Sequence, residues 1–201
     1  SRVRDEIKDD IAYVVSKLGR LDFIFFSGDL VQSGSKEEFD QFTEFLDELL
    51  SMLNEKGFMP KVFFVPGNHD LQRISDTDDP THQMMKSWMS NVNLRTEMKK
   101  KEKSPYINYV DERFVNYSNF VNGYNSKQKI VLDKGTLPGD YYYYANIDNV
   151  SIGIVGLNSS FVQIESGDYR QKIGIYNEQV YGIFSDKYVD TMNTLVSYKL
   201  K

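Results

Sequence analysis

The chain has 201 residues, 40% hydrophobic and 26% charged, with a formal net charge of −5, the composition of a globular protein long enough to bury a sizeable core. It contains no cysteine, which excludes a disulfide framework, a Cys-ligated zinc site and a thiol nucleophile. The acidic balance offers no electrostatic footprint for nucleic acid or an anionic membrane, no apolar run reaches the length of a membrane span, and no signal-peptide pattern opens the chain. The sequence therefore reads as a soluble, cytoplasmic protein with no membrane partner.

Val3, Ile7, Ile11, Val14, Val15 and Leu18 recur at spacings of three and four, predicting an amphipathic first helix that ends near Gly19, with no strand before it. Leu21 to Phe26 is a short, almost continuous apolar run, the pattern of a parallel strand buried on both faces. Ser35-Lys36-Glu37-Glu38 has the form of a capping box. It opens a helix striped by Phe39, Phe42, Leu46, Leu49, Leu50 and Leu53, which Gly57 and Pro60 stop. Lys61 to Val65 reads as a second buried strand. A strand, helix and strand of this length predict two parallel strands joined by a right-handed crossover. Polar clusters then follow both strand ends, where open α/β sheets place their ligands.

From Leu71 to Asp140 the chain is polar and weakly patterned, with a single helix suggested by Phe114, Tyr117, Phe120 and Val121. The stretch is expected to be an insertion or cap over the strand ends. Within it, His82 is expected at the surface because nothing near it has ligand spacing. Lys99, Lys100, Lys101 and Lys103 read as a solvated helix face or, alternatively, a phosphate-backbone contact. Tyr141 to Ala145 and Val150 to Leu157 predict a hairpin turning at residues 146–149, with Tyr141 to Tyr144 alternating between its two faces. A last helix is expected from an N-cap at Asn177 through Val180, Phe184, Tyr188, Met192 and Leu195.

Asp29 and Asn68 lie at the ends of strands expected to be neighbours, about 4.8 Å apart, so a carboxylate and an amide oxygen converge there. Such donors suit hard divalent ions. His69 stands beside Asn68, within reach of the same centre. Asp70 either holds His69 in one orientation or caps the next turn. Asn158, at the end of the hairpin, either lines the site or closes a turn.

Gly28-Asp29-Leu30-Val31-Gln32-Ser33-Gly34 and Gly67-Asn68-His69-Asp70 resemble the second and third signature motifs of the calcineurin-like metallophosphoesterase superfamily. The likeness covers residues 1–71 and, more loosely, the hairpin ending Gly156-Leu157-Asn158-Ser159-Ser160. It implies an α/β (α+β) fold, a two-sheet β-sandwich flanked by helices. It further implies a centre of two divalent metal ions (Mn, Fe or Zn) that Asp29 bridges and Asn68 ligates. His69 would protonate the leaving group or stabilise the transition state, and the substrate would be a phosphoester.

The family's first motif, Asp-x-His on a strand ahead of the opening helix, has no counterpart here, and neither has its later metal-binding His or its Gly-His-x-His. The two histidines are preceded two positions earlier by Gly67 and Pro80. The chain thus reads as the middle of a phosphoesterase domain with an incomplete site. Residues 1–70 would form the core crossover unit, 71–140 an insertion or cap, and 141–201 a core hairpin and C-terminal helix. The leading function is metal-dependent phosphoester hydrolysis. The alternatives are a non-catalytic module that binds a partner through a remnant of the fold, and a nuclease. Nothing in the residues specifies an oligomeric state or which phosphoester is used.

Overall fold

The structure, a computed structural model, describes residues 2–73, 78–97, 104–167, 169 and 174–184. Its first half is a crossover unit: helix α1 (Arg2–Val15), strand β1 (Phe23–Phe26), helix α2 (Lys36–Glu55) and strand β2 (Lys61–Phe64). β1 and β2 pair in parallel, Phe23 opposite Lys61 and Phe26 opposite Phe64, as the spacing predicts. Ser35 caps α2 through a reciprocal bond pattern with Glu38, and Leu46, Leu49 and Leu53 on its inner face are fully buried. Burial of each such side chain is worth about 1.5–3 kcal/mol. Gln128 closes the outer edge of β2. Its side-chain Oε1 accepts from Val62 N at 2.8 Å and its Nε2 donates to Val62 O at 3.3 Å, standing in for a third strand.

The second half begins with four helices: α3 (Pro80–Lys86), α4 (Val92–Thr96), α5 (Pro105–Arg113) and α6 (Val115–Gln128). A three-stranded antiparallel sheet follows, β3 (Asp133–Lys134), β4 (Tyr141–Ile147) and β5 (Val150–Gly156), and then α7 (Asn177–Ile183). β4 and β5 form the expected hairpin. Its two-residue turn, Asp148-Asn149, has both φ angles positive, the type I′ geometry that matches strand twist.

Side-chain alternation stacks these parts into layers. Val62 and Phe64 face the helices, in one core with Leu46, Tyr117 and Phe120, whereas Phe63 faces the second sheet with Tyr141 and Ile154. On β4, Tyr141 and Tyr143 lie 6.2 and 5.1 Å from the Phe63 ring, while Tyr142 turns the other way to meet Phe184 at 5.5 Å. Helices, a parallel pair, an antiparallel sheet and α7 thus succeed one another as a two-sheet sandwich flanked by helices.

Four expectations differ in detail. Residues 71–140 do not form one weakly helical cap: α5 and α6 bring Ile107, Phe114, Tyr117 and Phe120 into the core that also holds β2. α1 forms, yet Val3 and Ile7 on its stripe are exposed and only Val15 is buried. β1 is less covered than a strand buried on both faces, with Phe25 57% exposed. α7 starts at Asn177, with Tyr176 as its N-cap residue. Tyr188, Met192 and Leu195 lie outside the described residues, as do Lys99, Lys100, Lys101 and Lys103.

Candidate metal centre and its proton donor

The loops that leave β1 and β2 interlock, and two glycines make this possible. Gly28 has φ +115°, and a Cβ on it would lie 2.7 Å from Gly67 N. A Cβ on Gly67 would lie 2.1 Å from Asp29 Oδ1, closer than non-bonded atoms approach. Asp29 itself has φ +54°, a left-handed conformation that Asp tolerates better than most residues. Strained backbone of this kind, where the surrounding structure holds it, is common at functional sites.

The strain turns the Asp29 carboxylate across the gap, where Oδ1 accepts from the backbone N–H of His69 at 3.1 Å. The second tie is Asp70, fully buried, whose carboxylate accepts from Val31 N at 3.1 Å and Gly67 N at 2.7 Å. Burial pushes the Asp70 carboxyl up to about 6, against the pull of the N–H groups of Gly67, Val31 and Leu30. Of the two roles open to Asp70 from sequence, the geometry gives it the backbone one. It clamps the two loops together and makes no bond to the His69 ring.

The ring is oriented by Gln32 instead. His69 Nδ1 lies 2.8 Å from Gln32 O and 3.1 Å from Gln32 Nε2. A carbonyl oxygen only accepts, so the shorter contact places the proton on Nδ1 and leaves Nε2 as the exposed nitrogen. Beside it, Arg73 Nη2 donates to Asn68 O at 3.0 Å, bringing a guanidinium to the backbone of the predicted ligand. Neither Gln32 nor Arg73 carried a signal of its own in the sequence beyond lying near the motifs.

Asn158 sits in a separate buried cluster. Its N–H donates to Asp140 Oδ1 at 2.8 Å, its Nδ2 donates to Pro138 O at 2.9 Å, and its Oδ1 accepts from Ser160 N at 2.8 Å. Gln179 Nε2 completes the cluster, 3.0 Å from Asp140 Oδ1 and 2.9 Å from Asn158 O. With every polar group of its amide engaged this way, Asn158 fastens the hairpin end to α7. Burial pushes the Asp140 carboxyl up to about 6, opposed by hydrogen bonds from Asn158, Gln179 and Leu137.

His82 corrects the expectation of a surface residue. It is fully buried, with Nδ1 2.5 Å from Tyr109 Oη and Nε2 2.7 Å from Glu165 Oε1. Nε2–H donates to the carboxylate and Nδ1 accepts from the phenol. Lys86 and Glu165 continue the array at 3.1 Å.

Asp29 and Asn68 are hard oxygen donors of the kind a divalent cation takes, so they fit such an ion in kind. They fall short in number. Among the described residues no group of three His, Cys, Asp or Glu side chains gathers around a common point.

No curated protein and no solved structure significantly matches the chain. The family model for calcineurin-like phosphoesterases matches residues 4–194, spanning both interlocked loops, the four helices and the hairpin. With its two sheets stacked between helices and its motif loops joined at strand ends, and matched over nearly its whole length, the chain belongs to the calcineurin-like phosphoesterase family.

Proposed function

We propose that this chain supplies part of the active site of a metal-dependent phosphoester hydrolase. Asp29 and Asn68 contribute oxygen ligands to a dinuclear centre of Mn, Fe or Zn, and His69 serves the leaving group. The remaining ligands lie outside the residues that carry these motifs, because His69 is the one histidine of the two that is not locked in a buried cluster. Bound divalent ions polarise a phosphoryl group and lower the pKa of a coordinated water. The observation that carries the reading is the convergence of Asp29 and His69 across two separate loops at 3.1 Å, held by strained backbone and a buried carboxylate.

In this arrangement the Gln32 carbonyl holds the Nδ1–H, so that Nε2 is the open nitrogen, and it is the doubly protonated ring that hands a proton from Nε2 to the leaving oxygen and reverts to the neutral form. Arg73, fastened to Asn68 O, adds positive charge beside the same loop. Asp29 stays outside the proton step, because its carboxylate is committed to the His69 backbone and to metal.

The test uses the complete protein that contains this sequence, assayed with an aryl phosphate ester and Mn²⁺. Asn68→Ala and His69→Ala are each expected to lower the rate by about tenfold or more, the scale of losing a proton-transfer group. Full activity in both variants overturns the reading. For the 201-residue chain alone, calorimetric titration with Mn²⁺ is expected to find at most one weakly bound ion.

A further inference from the structure

Most of the described arginine side chains are spent inside the fold. Arg20 pairs with Asp22 and Asp148, Arg113 lies against Glu112 and the Tyr109 ring, Arg95 holds two backbone carbonyls beside the Tyr176 ring, and Arg4 covers Phe45. Arg73 differs from all of these. It is exposed, it pairs with no carboxylate and covers no ring among the described residues, and its hydrogen bond runs from Nη2 to Asn68 O at 3.0 Å. A guanidinium carries five N–H donors in a rigid planar fork, so most of that fork stays open.

The side chain is nonetheless held at both ends. Next to it, Gln72 N donates to Arg113 O at 2.8 Å, and Gly34 packs so closely here that a Cβ on it would lie 2.5 Å from Leu71 C. From this pinned backbone the guanidinium reaches back to the peptide bond between Asn68 and His69. The N–H of the same peptide donates to Asp29 Oδ1 at 3.1 Å. The peptide is trans, so its C=O and N–H point to opposite edges of one plane. Asp29 and Arg73 are thereby fastened to one rigid group and kept from pairing with each other. The carboxylate keeps an oxygen for a cation, and the guanidinium keeps N–H groups for an anion.

We propose that Arg73 binds the terminal oxygens of the substrate's phosphoryl group and so selects phosphomonoesters over phosphodiesters. The inference rests on the reading of the site as a phosphoester hydrolase and names its substrate class. Near neutral pH a monoester is largely a dianion with three terminal oxygens, whereas a diester is a monoanion that presents a second organic group in place of one of them. A fixed fork of N–H donors recognises the extra oxygen and charge. Arg73 takes no proton and forms no covalent bond. It holds the phosphoryl group beside His69, on the loop that carries both residues.

The first test needs no metal. The 201-residue chain in EDTA is titrated with phenyl phosphate and with diphenyl phosphate, and nitrogen-15 NMR follows the Arg73 Nε–H and the backbone amides of Asn68 and His69. Phenyl phosphate is expected to shift these signals and to bind at least about threefold more tightly than diphenyl phosphate. Arg73→Gln is expected to bring the two affinities together, and Arg73→Lys to restore part of the difference, since a point charge replaces the fork. The second test assays the complete protein with Mn²⁺ on the same two esters. Arg73→Gln is expected to lower the ratio of kcat/KM for phenyl phosphate to that for diphenyl phosphate by about tenfold or more, chiefly through KM. His69→Ala is expected to lower both values together. No shift at Arg73 with phenyl phosphate, or an unchanged ratio in an active Arg73→Gln enzyme, overturns the proposal and leaves the reading of the site standing. A complete protein that hydrolyses neither ester overturns that reading and the proposal with it.

Discussion

The two histidines of this chain sit in opposite kinds of surroundings. His69 lies on a loop between strand end and helix, its ring given one partner by the Gln32 carbonyl at 2.8 Å and its other nitrogen left open. His82 lies on the buried face of α3 with both nitrogens taken, by Tyr109 of α5 and by Glu165. One imidazole is positioned for exchange with something outside the chain, the other is spent on internal bonds. The difference teaches that histidine reports function through its unsatisfied nitrogen rather than through its presence.

The comparison is broken most forcefully by removing each ring in turn. His82→Ala leaves a cavity, an unpaired phenol on Tyr109 and a Glu165 carboxylate without its buried donor, a combination expected to destabilise the fold by about 3–5 kcal/mol. His69→Ala removes a half-buried ring whose hydrogen-bond partner is Gln32 and is expected to cost about 1 kcal/mol or less. Urea unfolding of the two variants checks both numbers. Equal losses would erase the distinction between a structural and an open ring.

The parts of the fold that were legible in sequence are those whose partners are close along the chain. The capping box spans Ser35 to Glu38, and the crossover closes within about 40 positions, so periodicity and spacing were enough to bring the loop of Asp29 against the loop of Asn68 and His69. His82 was illegible because Tyr109 and Glu165 lie 27 and 83 positions away, and no local pattern announces such a meeting. α6 was blurred for another reason. Tyr117, Phe120 and Tyr124 face the core while Ser118, Asn122 and Asn125 line a cavity, so two stripes share one helix and the apolar period is diluted. For Asp70 and Asn158 the residue type was informative and the role was not, since a carboxylate or amide at a strand end serves backbone and ligand equally well.

A second contrast, between the buried carboxylate of Asp140 and its surroundings, sharpens the comparison through pH. Burial raises Asp140 from 3.8 to about 6, so the folded state holds its proton more tightly than the unfolded chain does. The stabilisation from that proton is fully present below about pH 4 and is lost as the pH rises through about 6, a change of roughly 3 kcal/mol at most. Asp140→Asn cannot titrate. Urea unfolding at about pH 4 and about pH 7 is therefore expected to show the wild type losing more stability than the variant across that interval. Parallel profiles would mean that the hydrogen bonds from Asn158, Gln179 and Leu137 offset burial.

The smallest effect separates a helix start from the loop that it anchors. Ser35 Oγ accepts from Glu38 N at 3.3 Å, and Ser35→Ala is expected to cost about 1 kcal/mol, the usual loss for an N-cap. Glu38 does more than close the box, because its Oε2 also accepts from Ser33 N at 2.9 Å and Ser33 Oγ at 2.8 Å. Burial pushes its carboxyl up, and the bonds from Ser33 and Ser35 outweigh that and hold it below the usual range. Ser33 follows Gln32, the residue that orients His69. Ser35→Ala therefore frays α2 and leaves the His69 imidazole shifts in place, whereas Glu38→Ala moves them by releasing Ser33. Nitrogen-15 spectra of the imidazole in both variants measure the difference. If both left the ring unmoved, the capping box would belong to the helix alone, and Gln32 would be held by the clamp that Asp70 forms with Val31 and Gly67.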